Sequence, residues 1–459
     1  MDKKVLSIAV ALCLMSNAVE ANNKPLTLEQ RLEKLELRLA AAENRATLAE
    51  NQLRELRDRP APAVPMVENT VSVKKQVPVA ETKKNTSSPQ LTLSGYGDLK
   101  IYGDVEFNMD AESKRGLLAM TNDNLSRDST YANWNINGRV LLGFDGIRQL
   151  NNGNYAGFSI QPLADLKGSM NLDDAAFFFG KESDWKVKVG RFEAYDMFPL
   201  NQDTFVEHSG STATDLYSDG HGYIYMMKEG RGRSNTGGNF LLSKQLDKWY
   251  FELNTLIEDG TSLYDQRGYH GREMDQKKNV AYLRPVVSWS QDAYSVAVAM
   301  EKNPVKNAYG YRDAQGKFID QSDRTGYGMT MTWNGLKNDP LNGVVVNLSS
   351  AYMDASNEKD FTAGVNALWR RFELGYIYAH NRISDFAGII CEKNCRIKDK
   401  GSYNVHTVHA SYQIPNVMNM QNFNVYLGAY YSIIDSEYRL RKGDSDNRYG
   451  ARLRFKYFF

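Results

Sequence analysis

The sequence predicts an all-β protein, a transmembrane antiparallel β-barrel preceded by an N-terminal α-helical coiled coil. Three observations support this fold class. From residue 91 to residue 459, apolar and polar residues alternate in long runs, which is the period of a β-strand. The connections between these runs are alternately short and long. The 459-residue chain contains 27 Tyr, 19 Phe and 35 Gly but only 12 Pro, which suits many strands with interfacial aromatic side chains.

The bulk composition excludes two classes of protein. Hydrophobic residues make up 42% of the chain and charged residues 24%, and no run of about 20 apolar residues follows the N-terminus, so a helical membrane protein is excluded. The 56 Lys and Arg residues balance the 55 Asp and Glu residues, so no diffuse basic field exists to attract nucleic acid. We therefore expect no nucleic-acid partner.

Residues 1–21 have the pattern of a cleavable secretory signal peptide. Lys3 and Lys4 form a short positive region, an apolar stretch follows, and the segment ends in Val19-Glu20-Ala21. An N-terminal membrane anchor is the alternative, but the apolar stretch is too short to span a bilayer.

Export leaves two cysteines in the mature chain, because Cys13 lies within the signal peptide. These are Cys391 and Cys395, in the stretch CEKNC. In an oxidising compartment a small disulfide loop is the simplest interpretation of this pair. A metal site is the alternative, but it would need more ligands nearby than the sequence provides, so we predict neither a metal nor a cofactor.

Residues 22–59 predict a coiled coil, and residues 60–90 predict an extended linker. Thr27 and Gln30 form a plausible capping box, and Pro60 ends the helix. The linker is rich in Pro, Val, Lys and Ser without periodicity. A narrow seam of this kind cannot be buried by one helix, so it indicates oligomerisation. The apolar seam follows a 4-3-4-3 spacing at Leu28, Leu32, Leu35, Leu39, Ala42, Ala46, Ala49, Leu53 and Leu56.

The barrel domain, residues 91–459, is predicted to contain sixteen strands. Their alternating runs are 91–109, 133–148, 155–166, 173–182, 185–195, 237–247, 249–259, 280–290, 294–303, 324–334, 342–354, 360–370, 372–382, 402–413, 423–435 and 446–459. The connections after strands 1, 5, 7, 9 and 13 are long and polar, whereas those on the other side are brief. Long loops on one side and short turns on the other are typical of outer-membrane barrels.

Two alternative folds fit the sequence less well than the barrel. A soluble β-sandwich also alternates, but its strands usually have about 5 or 6 residues, and such long runs would overfill two sheets. A repeat solenoid would need a constant sequence period, which we do not find. A closed barrel in lipid explains why the polar face is so extensive, since that face lines water, and sixteen strands leave an aqueous channel.

The polar face of the strands supplies the candidate lining of this channel. A long segment after strand 5, residues 196–237, can fold into the lumen and narrow it, although a mobile external loop is the alternative. The candidates on the wall are Arg139, Arg284, Arg324, Arg370, Arg448, Arg452, Arg454, Lys456, Asp98, Asp104, Glu106, Tyr96, Tyr102, Tyr282, Tyr426 and Tyr430, and those on the segment are Asp203, Glu207, Asp215, Asp219 and Tyr223.

Two uses of such a lining remain open. A general porin needs only crossed acidic and basic walls that set a transverse field and a size limit. A sugar pore adds aromatic platforms for pyranose rings and charged groups that hydrogen-bond hydroxyls. An enzyme is disfavoured, because the sequence pattern places no histidine in a catalytic arrangement with a Ser or an Asp pair, and His406 and His409 face opposite sides of a strand.

The heptad segment, the Pro-rich spacer, and the stretches LTLSGYGDLKIYGDVEFNMD and VGRFEAYDMFPLNQDTF, with a terminal Phe, together resemble a known family. They resemble the carbohydrate-specific porins of Gram-negative outer membranes, most closely the raffinose-type glycoporins, and more distantly maltoporin-like and sucrose-porin-like proteins. The resemblance implies a homotrimeric passive channel for carbohydrate solutes, surrounded by outer-membrane lipid, with its coiled coil in the periplasm. Maltoporin-like relatives have eighteen strands, so eighteen stays possible beside sixteen.

Overall fold

The computed structural model describes residues 90–93, 97–113, 132–202, 204, 224–227, 230–234, 236–264, 267–270, 272–385, 387, 400–436 and 447–459. The predicted signal peptide, the coiled coil and nearly all of the linker lie outside these residues. So do Tyr96, Asp203, Glu207, Asp215, Asp219, Tyr223, Cys391, Cys395 and the side chain of Arg448.

Sixteen long strands form the wall of the barrel. They are β1 (Gly97–Glu112), β2 (Asn133–Gln149), β3 (Asn154–Asp165), β4 (Met170–Lys181), β5 (Trp185–Arg191), β6 (Gly238–Leu246), β7 (Trp249–Asp259), β8 (Asn279–Gln291), β9 (Tyr294–Lys302), β10 (Arg324–Asn334), β11 (Val344–Ala355), β12 (Glu358–Trp369), β13 (Phe372–Ile383), β14 (Gly401–Ile414), β15 (Phe423–Ser436) and β16 (Asn447–Phe458).

The sheet closes on itself. Each strand pairs antiparallel with its neighbour in the chain, and β16 pairs antiparallel with β1, from Asp104 opposite Phe458 to Glu112 opposite Gly450. Closure gives the strands hydrogen-bonded partners on both sides, which is what lipid requires of a sheet. The predicted all-β barrel of sixteen strands is confirmed.

The start of the first predicted strand is wrong. Instead of one strand over residues 91–109, a short strand, Gln90–Leu93, pairs back antiparallel on the first residues of β1, with Leu93 opposite Gly97. Gly97 has a φ of +113°, and a Cβ there would collide with the backbone of Ile147, so only glycine fits. Alternation continues through both arms, so the sequence pattern does not reveal the reversal.

The two faces of the wall differ as the alternation predicts. On β1 the side chain of Val105 is 40% exposed on the outer face, whereas that of Asp104 beside it is 3% exposed on the inner face. The same contrast holds on β16, where Tyr457 is 37% exposed on the outer face and Arg454 is 6% exposed on the inner face. A barrel with an apolar exterior and a polar interior matches a membrane environment. The described part of the chain contains no helix with the length and apolar character needed to cross a membrane.

Short turns join the strands at one end of the barrel. Asp247, Asp292 and Arg370 each begin a two-residue turn with positive φ. Arg370 was predicted on the polar face of a strand, which is wrong: it lies in the turn between β12 and β13, exposed, and its Nε donates to Asn342 Oδ1 at 3.0 Å. Such short turns face the periplasm in barrels of this class, and the longer loops lie on the outside.

Candidate pore and constriction

We call the segment between β5 and β6, residues 192–237, the inner loop, and its described residues lie inside the barrel. The strand β5 was predicted to continue to residue 195 but ends at Arg191, where the chain turns inward. At the base of the loop, Ala194 N donates to Arg231 O at 2.9 Å. The inner loop therefore leaves the wall and returns to it at the same place.

Ion pairs reinforce this base. Arg233 lies 3.1 Å from Asp173, 2.9 Å from Asp174 and 3.7 Å from Glu193, and Arg231 lies 3.0 Å from Glu193. Burial alone would lower the pKa of Arg233, but the surrounding carboxylates raise the pKa above its usual value. The guanidinium thus stays charged and ties the loop to the first residues of β4.

The outgoing arm of the inner loop follows the inner wall. Tyr195 Oη lies 3.2 Å from Ser288 Oγ on β8, and Tyr195 N donates to Glu252 on β7 at 3.0 Å. Farther along, Thr330 Oγ1 on β10 donates to Met197 O. These contacts carry the chain across the inner faces of four strands.

The arm then reaches the far side of the barrel. Gln202 N donates to Glu373 Oε2 on β13 at 2.6 Å, and Ser411 Oγ on β14 donates to Gln202 Oε1 at 2.7 Å. Thr204 packs over Gly428 on β15. The described part of residues 196–237 therefore lies inside the lumen as predicted, and the alternative of an external loop is wrong for it.

Apolar contacts hold the loop against the wall in two clusters. In one, Phe198, Ile224 and Met226 pack on inner-wall residues that include Ile377 and Val405. The second cluster contains Met197, Tyr225, Met227, Val286, Ala297, Ala351 and Met353. Full burial of such side chains contributes about 1.5–3 kcal/mol each. This dry layer explains why some inward positions of β11 to β15 are apolar although the interior of the barrel is polar elsewhere.

Glycines on the inner wall make room for the loop. A Cβ on Gly364 would lie 2.6 Å from the ring of Phe198, and a Cβ on Gly328 would lie 2.5 Å from the sulfur of Met227. Gly326 similarly lies under Tyr225. Real Cβ contacts are not this short, so the close approach of loop and wall depends on these glycines.

A buried carboxylate holds the returning arm. Glu301 on β9 accepts a hydrogen bond from Tyr225 Oη at 2.6 Å and one from Gly230 N at 3.0 Å, and it lies 3.5 Å from Arg284 Nε. Arg284 Nη2 also donates to Met227 O at 3.3 Å. Arg284 is 0% exposed, so this predicted lining residue lies under the loop and does not face the water path.

Three other predicted lining residues are also buried on the inner face. Arg324 Nη1 donates to Tyr264 Oη at 3.0 Å and to Tyr269 Oη at 3.1 Å, both on the loop after β7. Tyr282 and Tyr430 pack within the apolar clusters beneath the loops. Alternation predicted the inner face of these residues correctly, but it carries no information about which positions a loop covers.

On the part of the inner wall that the contacts described above do not reach, charged side chains of β16 and β1 pair where the barrel closes. We call this set of pairs the seam ladder. Arg452 Nε and Nη2 donate to the two carboxylate oxygens of Asp110 at 2.7 and 2.8 Å. Arg454 Nε lies 3.3 Å from Glu106 Oε1, and Lys456 Nζ lies 3.0 Å from Glu106 Oε2. The cations come from β16 and the carboxylates from β1.

The next strand continues the ladder. Arg139 Nε on β2 lies 3.5 Å from Asp104 Oδ1, and Asn108 donates to Asn137 Oδ1 at 2.9 Å. Arg139 keeps the most exposure of the cations in these pairs, with 32% of its side chain exposed. The sequence placed cations and carboxylates on one lining but did not predict that they pair. It also missed Asp110 and Asn108, which the same alternation would have found.

Neutral groups lie beside the ladder on the same wall. Tyr102 Oη donates to Asp145 Oδ1 at 3.0 Å and accepts from Gln161 Nε2 at 2.7 Å. Gln413 Nε2 donates to Tyr426 Oη at 3.3 Å. Asp98 lies on the inner face at the start of β1. Tyr102, Tyr426, Asp104 and Glu106 thus share one side of the barrel with Arg452, Arg454 and Lys456. The sequence had assigned all of them to the polar face of the strands, without placing them together.

Reversing one rung of the seam ladder should impair closure. Arg452→Asp places a second carboxylate against Asp110, which is 5% exposed, and we expect a loss of about 2–5 kcal/mol in barrel stability. The fraction of heat-resistant barrel on unboiled electrophoresis should fall, and the exchange Asp110→Arg with Arg452→Asp should restore it. Arg312→Asp, beside exposed Asp275, is the control with little effect. Equal barrel yields for all variants would contradict a role in closure.

The fold and its lumen define an outer-membrane porin, a β-barrel whose interior is narrowed by one of its own loops. The sequence matches the family model described as porin-like glycoporin RafY over residues 101–459. The chain therefore belongs to this family, and the resemblance to raffinose-type glycoporins is confirmed. No curated protein matches the sequence.

One solved structure supports the fold, and two others are reported beside it. The chain is similar to OprB of Pseudomonas putida, solved at high pH, with a TM-score of 0.51 and 11% identity over 79% of this chain and 94% of that chain. An anion-selective porin from Comamonas acidovorans has a TM-score of 0.47 with 13% identity, over 79% and 99% of the two chains. A loop-deletion mutant of OmpT from Vibrio cholerae has a TM-score of 0.46 with 13% identity, over 79% and 100%.

Proposed function

We propose that this outer-membrane porin is a channel for the passive diffusion of carbohydrates, with oligosaccharides of the raffinose type as its solutes. The observation that carries the proposal is the inner loop, whose described residues contact the inner wall from β7 to β15. In this proposal the solutes pass along the seam-ladder side. Such a passage is narrower than an open barrel of sixteen strands.

The chemistry of that wall suits neutral, hydroxyl-rich solutes. Its cations are paired with carboxylates, as in Arg452 with Asp110, so the wall offers many hydrogen-bonding atoms and little uncompensated charge. Amide and phenol groups such as Asn137, Gln161 and Tyr102 add neutral donors and acceptors. A sugar that loses its hydrogen bonds to water can form equivalent hydrogen bonds with such a wall, and no unpaired charge has to be desolvated.

The family description supports the same solute class. The matching model is that of a porin-like glycoporin, and it spans nearly all of the barrel. A homotrimer with the coiled coil of residues 22–59 on the periplasmic side belongs to this proposal, since a narrow heptad seam needs partner helices.

Planar-bilayer recordings test the solute class. The purified protein should insert with conductance steps in groups of three, and raffinose should block the ionic current in a saturable way, whereas mannitol at equal concentration should not. Liposome swelling should show raffinose entry faster than that of a non-carbohydrate solute of similar size. Current that stays linear in every saccharide would instead identify a general diffusion porin.

A general diffusion porin for small hydrophilic solutes and ions is the second candidate. The observation that favours it is Arg139, which keeps 32% of its side chain exposed on this wall, because an exposed charge at a narrow passage can sort solutes by size and charge alone. The same recordings separate the two candidates, since only a sugar-binding passage saturates.

A further inference from the structure

The outer face of the barrel carries a row of polar residues near the loop end of six adjacent strands, which we call the rim row. Its members are directly opposite one another across the sheet, from β9 to β14. The rim row consists of Lys302, Thr325, Asp354, Lys359, Arg382 and Ser402.

An aromatic belt lies directly below the rim row. Two residues away on the same strands, Tyr327, Tyr352 and Phe361 lie on the outer face with 49%, 37% and 40% of their surfaces exposed. Two strand residues correspond to about 6.6 Å. Aromatic belts mark the edge of the hydrocarbon region, so the rim row lies just beyond that edge, at the level of the lipid headgroups.

The charges of the rim row are unequal. Three cations face one carboxylate: Lys359 Nζ lies 3.6 Å from Asp354 Oδ1, and Lys302 Nζ donates to Thr325 Oγ1 at 3.3 Å. Lys359 and Arg382 are cross-strand partners, and like charges in that position repel. An anion between the two side chains would remove this repulsion.

Among the described residues near the loop ends of β1, β2 and β3, on the opposite side of the barrel, the outer face carries no comparable row of charged residues. The outer face near the loop ends of β1, β2 and β3 presents Met109, Trp134, Ile136 and Ala164. The rim row is therefore a local feature and not the general border of this barrel.

We propose that the rim row binds the phosphate group of a phosphorylated glycolipid in the outer leaflet. Lys359 and Arg382 would contact the phosphate, while the belt below would contact the acyl chains. A free phosphate ion would use only the cations, whereas an amphiphile matches both the charged row and the apolar belt. The proposal concerns the lipid-facing surface, so it is independent of which solute passes through the channel.

Lipid retention by the full chain tests the proposal. The purified protein is equilibrated in phosphatidylcholine vesicles with and without diphosphorylated lipid A, and the lipid A that stays bound after detergent extraction is measured. The triple variant K302Q/K359Q/R382Q should bind it more weakly, by about fivefold for each cation removed. The control K248Q/K337Q/R371Q, which removes exposed cations at the short turns, should bind it as the wild type does.

Four results would overturn the proposal. Equal retention of lipid A by the rim-row variant and the wild type would show that the rim row is not the binding site. Equal retention of lipid A with and without its phosphates would exclude phosphate as the recognised group. Full competition by inorganic phosphate would reassign the row to a soluble anion. A variant that keeps its lipid A but changes its oligomeric state would identify the row as a contact between copies. Raffinose block of the same variants reports on the proposed function separately and should be unaffected.

Discussion

Excision of the inner loop should raise the single-channel conductance roughly two- to threefold, because a barrel of sixteen strands without an inner covering is a wide aqueous channel. The structure offers a clean place for the cut. Ala194 and Arg231 are already hydrogen-bonded across the loop base, so an Asn-Gly turn can replace residues 195–230. The strand pairings of the wall are not touched by this change. Saturable block by raffinose should weaken in the same recordings.

A matched loop deletion controls for nonspecific effects. The turn of residues 313–316 joins two short paired strands, Tyr309–Arg312 and Phe318–Asp320, in the loop after β9. Replacing that turn by Asn-Gly removes exposed residues outside the inner loop, so the conductance should stay at the wild-type value. Conductance that is unchanged after excision of residues 195–230 would mean that the inner loop does not limit the passage.

Glu301→Ala should destabilise the folded barrel by about 3–5 kcal/mol, because it leaves the guanidinium of Arg284 buried without its carboxylate. It also removes the acceptor of Tyr225 Oη and of Gly230 N. The measurement is the loss of the heat-resistant form on unboiled electrophoresis as temperature or urea rises. Excess current noise from the released returning arm should accompany it.

The double variant Glu301→Ala with Arg284→Met distinguishes the two effects. Removing the buried charge should recover most of the lost stability, since an apolar side chain replaces an unpaired ion. The current noise should remain, because the loop still lacks its acceptor. Equal instability of the single and double variants would show that the buried arginine is not the source of the loss.

Much of the barrel could be predicted from the sequence, because lipid outside and water inside impose alternation on every strand. All sixteen strands lie within a few residues of their predicted places, and inward residues such as Asp104 and Arg454 were assigned to the correct face. Alternation is a local signal, and it fails where the chain reverses without breaking the pattern, as at Gly97, or where a strand ends in a tight turn, as at Arg370.

The positions of the inner wall that lie under the inner loop could not be predicted from alternation. Arg284 and Arg454 are equivalent in sequence, each an arginine at an inward position, yet one lies under Met227 and the other beside Glu106. The difference is made by a loop whose contacts lie on strands far from it in the chain. Apolar inward residues such as Ile377 and Val405 were the available signal, because they break the rule of a polar interior exactly where the loop packs.

The seam between β16 and β1 also bears on the order in which the protein is made. Arg452 and its partner Asp110 are 342 positions apart, so Asp110 on the first strand meets this cation only after β16 has been synthesised. A chain cut short before β16 would keep Glu106 and Asp110 on an open edge without Arg452, Arg454 and Lys456, and only Arg139 on β2 would remain as a nearby cation. Insertion into lipid would then be unfavourable. The seam thus makes synthesis through β16 a physical condition for a stable barrel, and chains truncated before it would remain exposed to proteolysis.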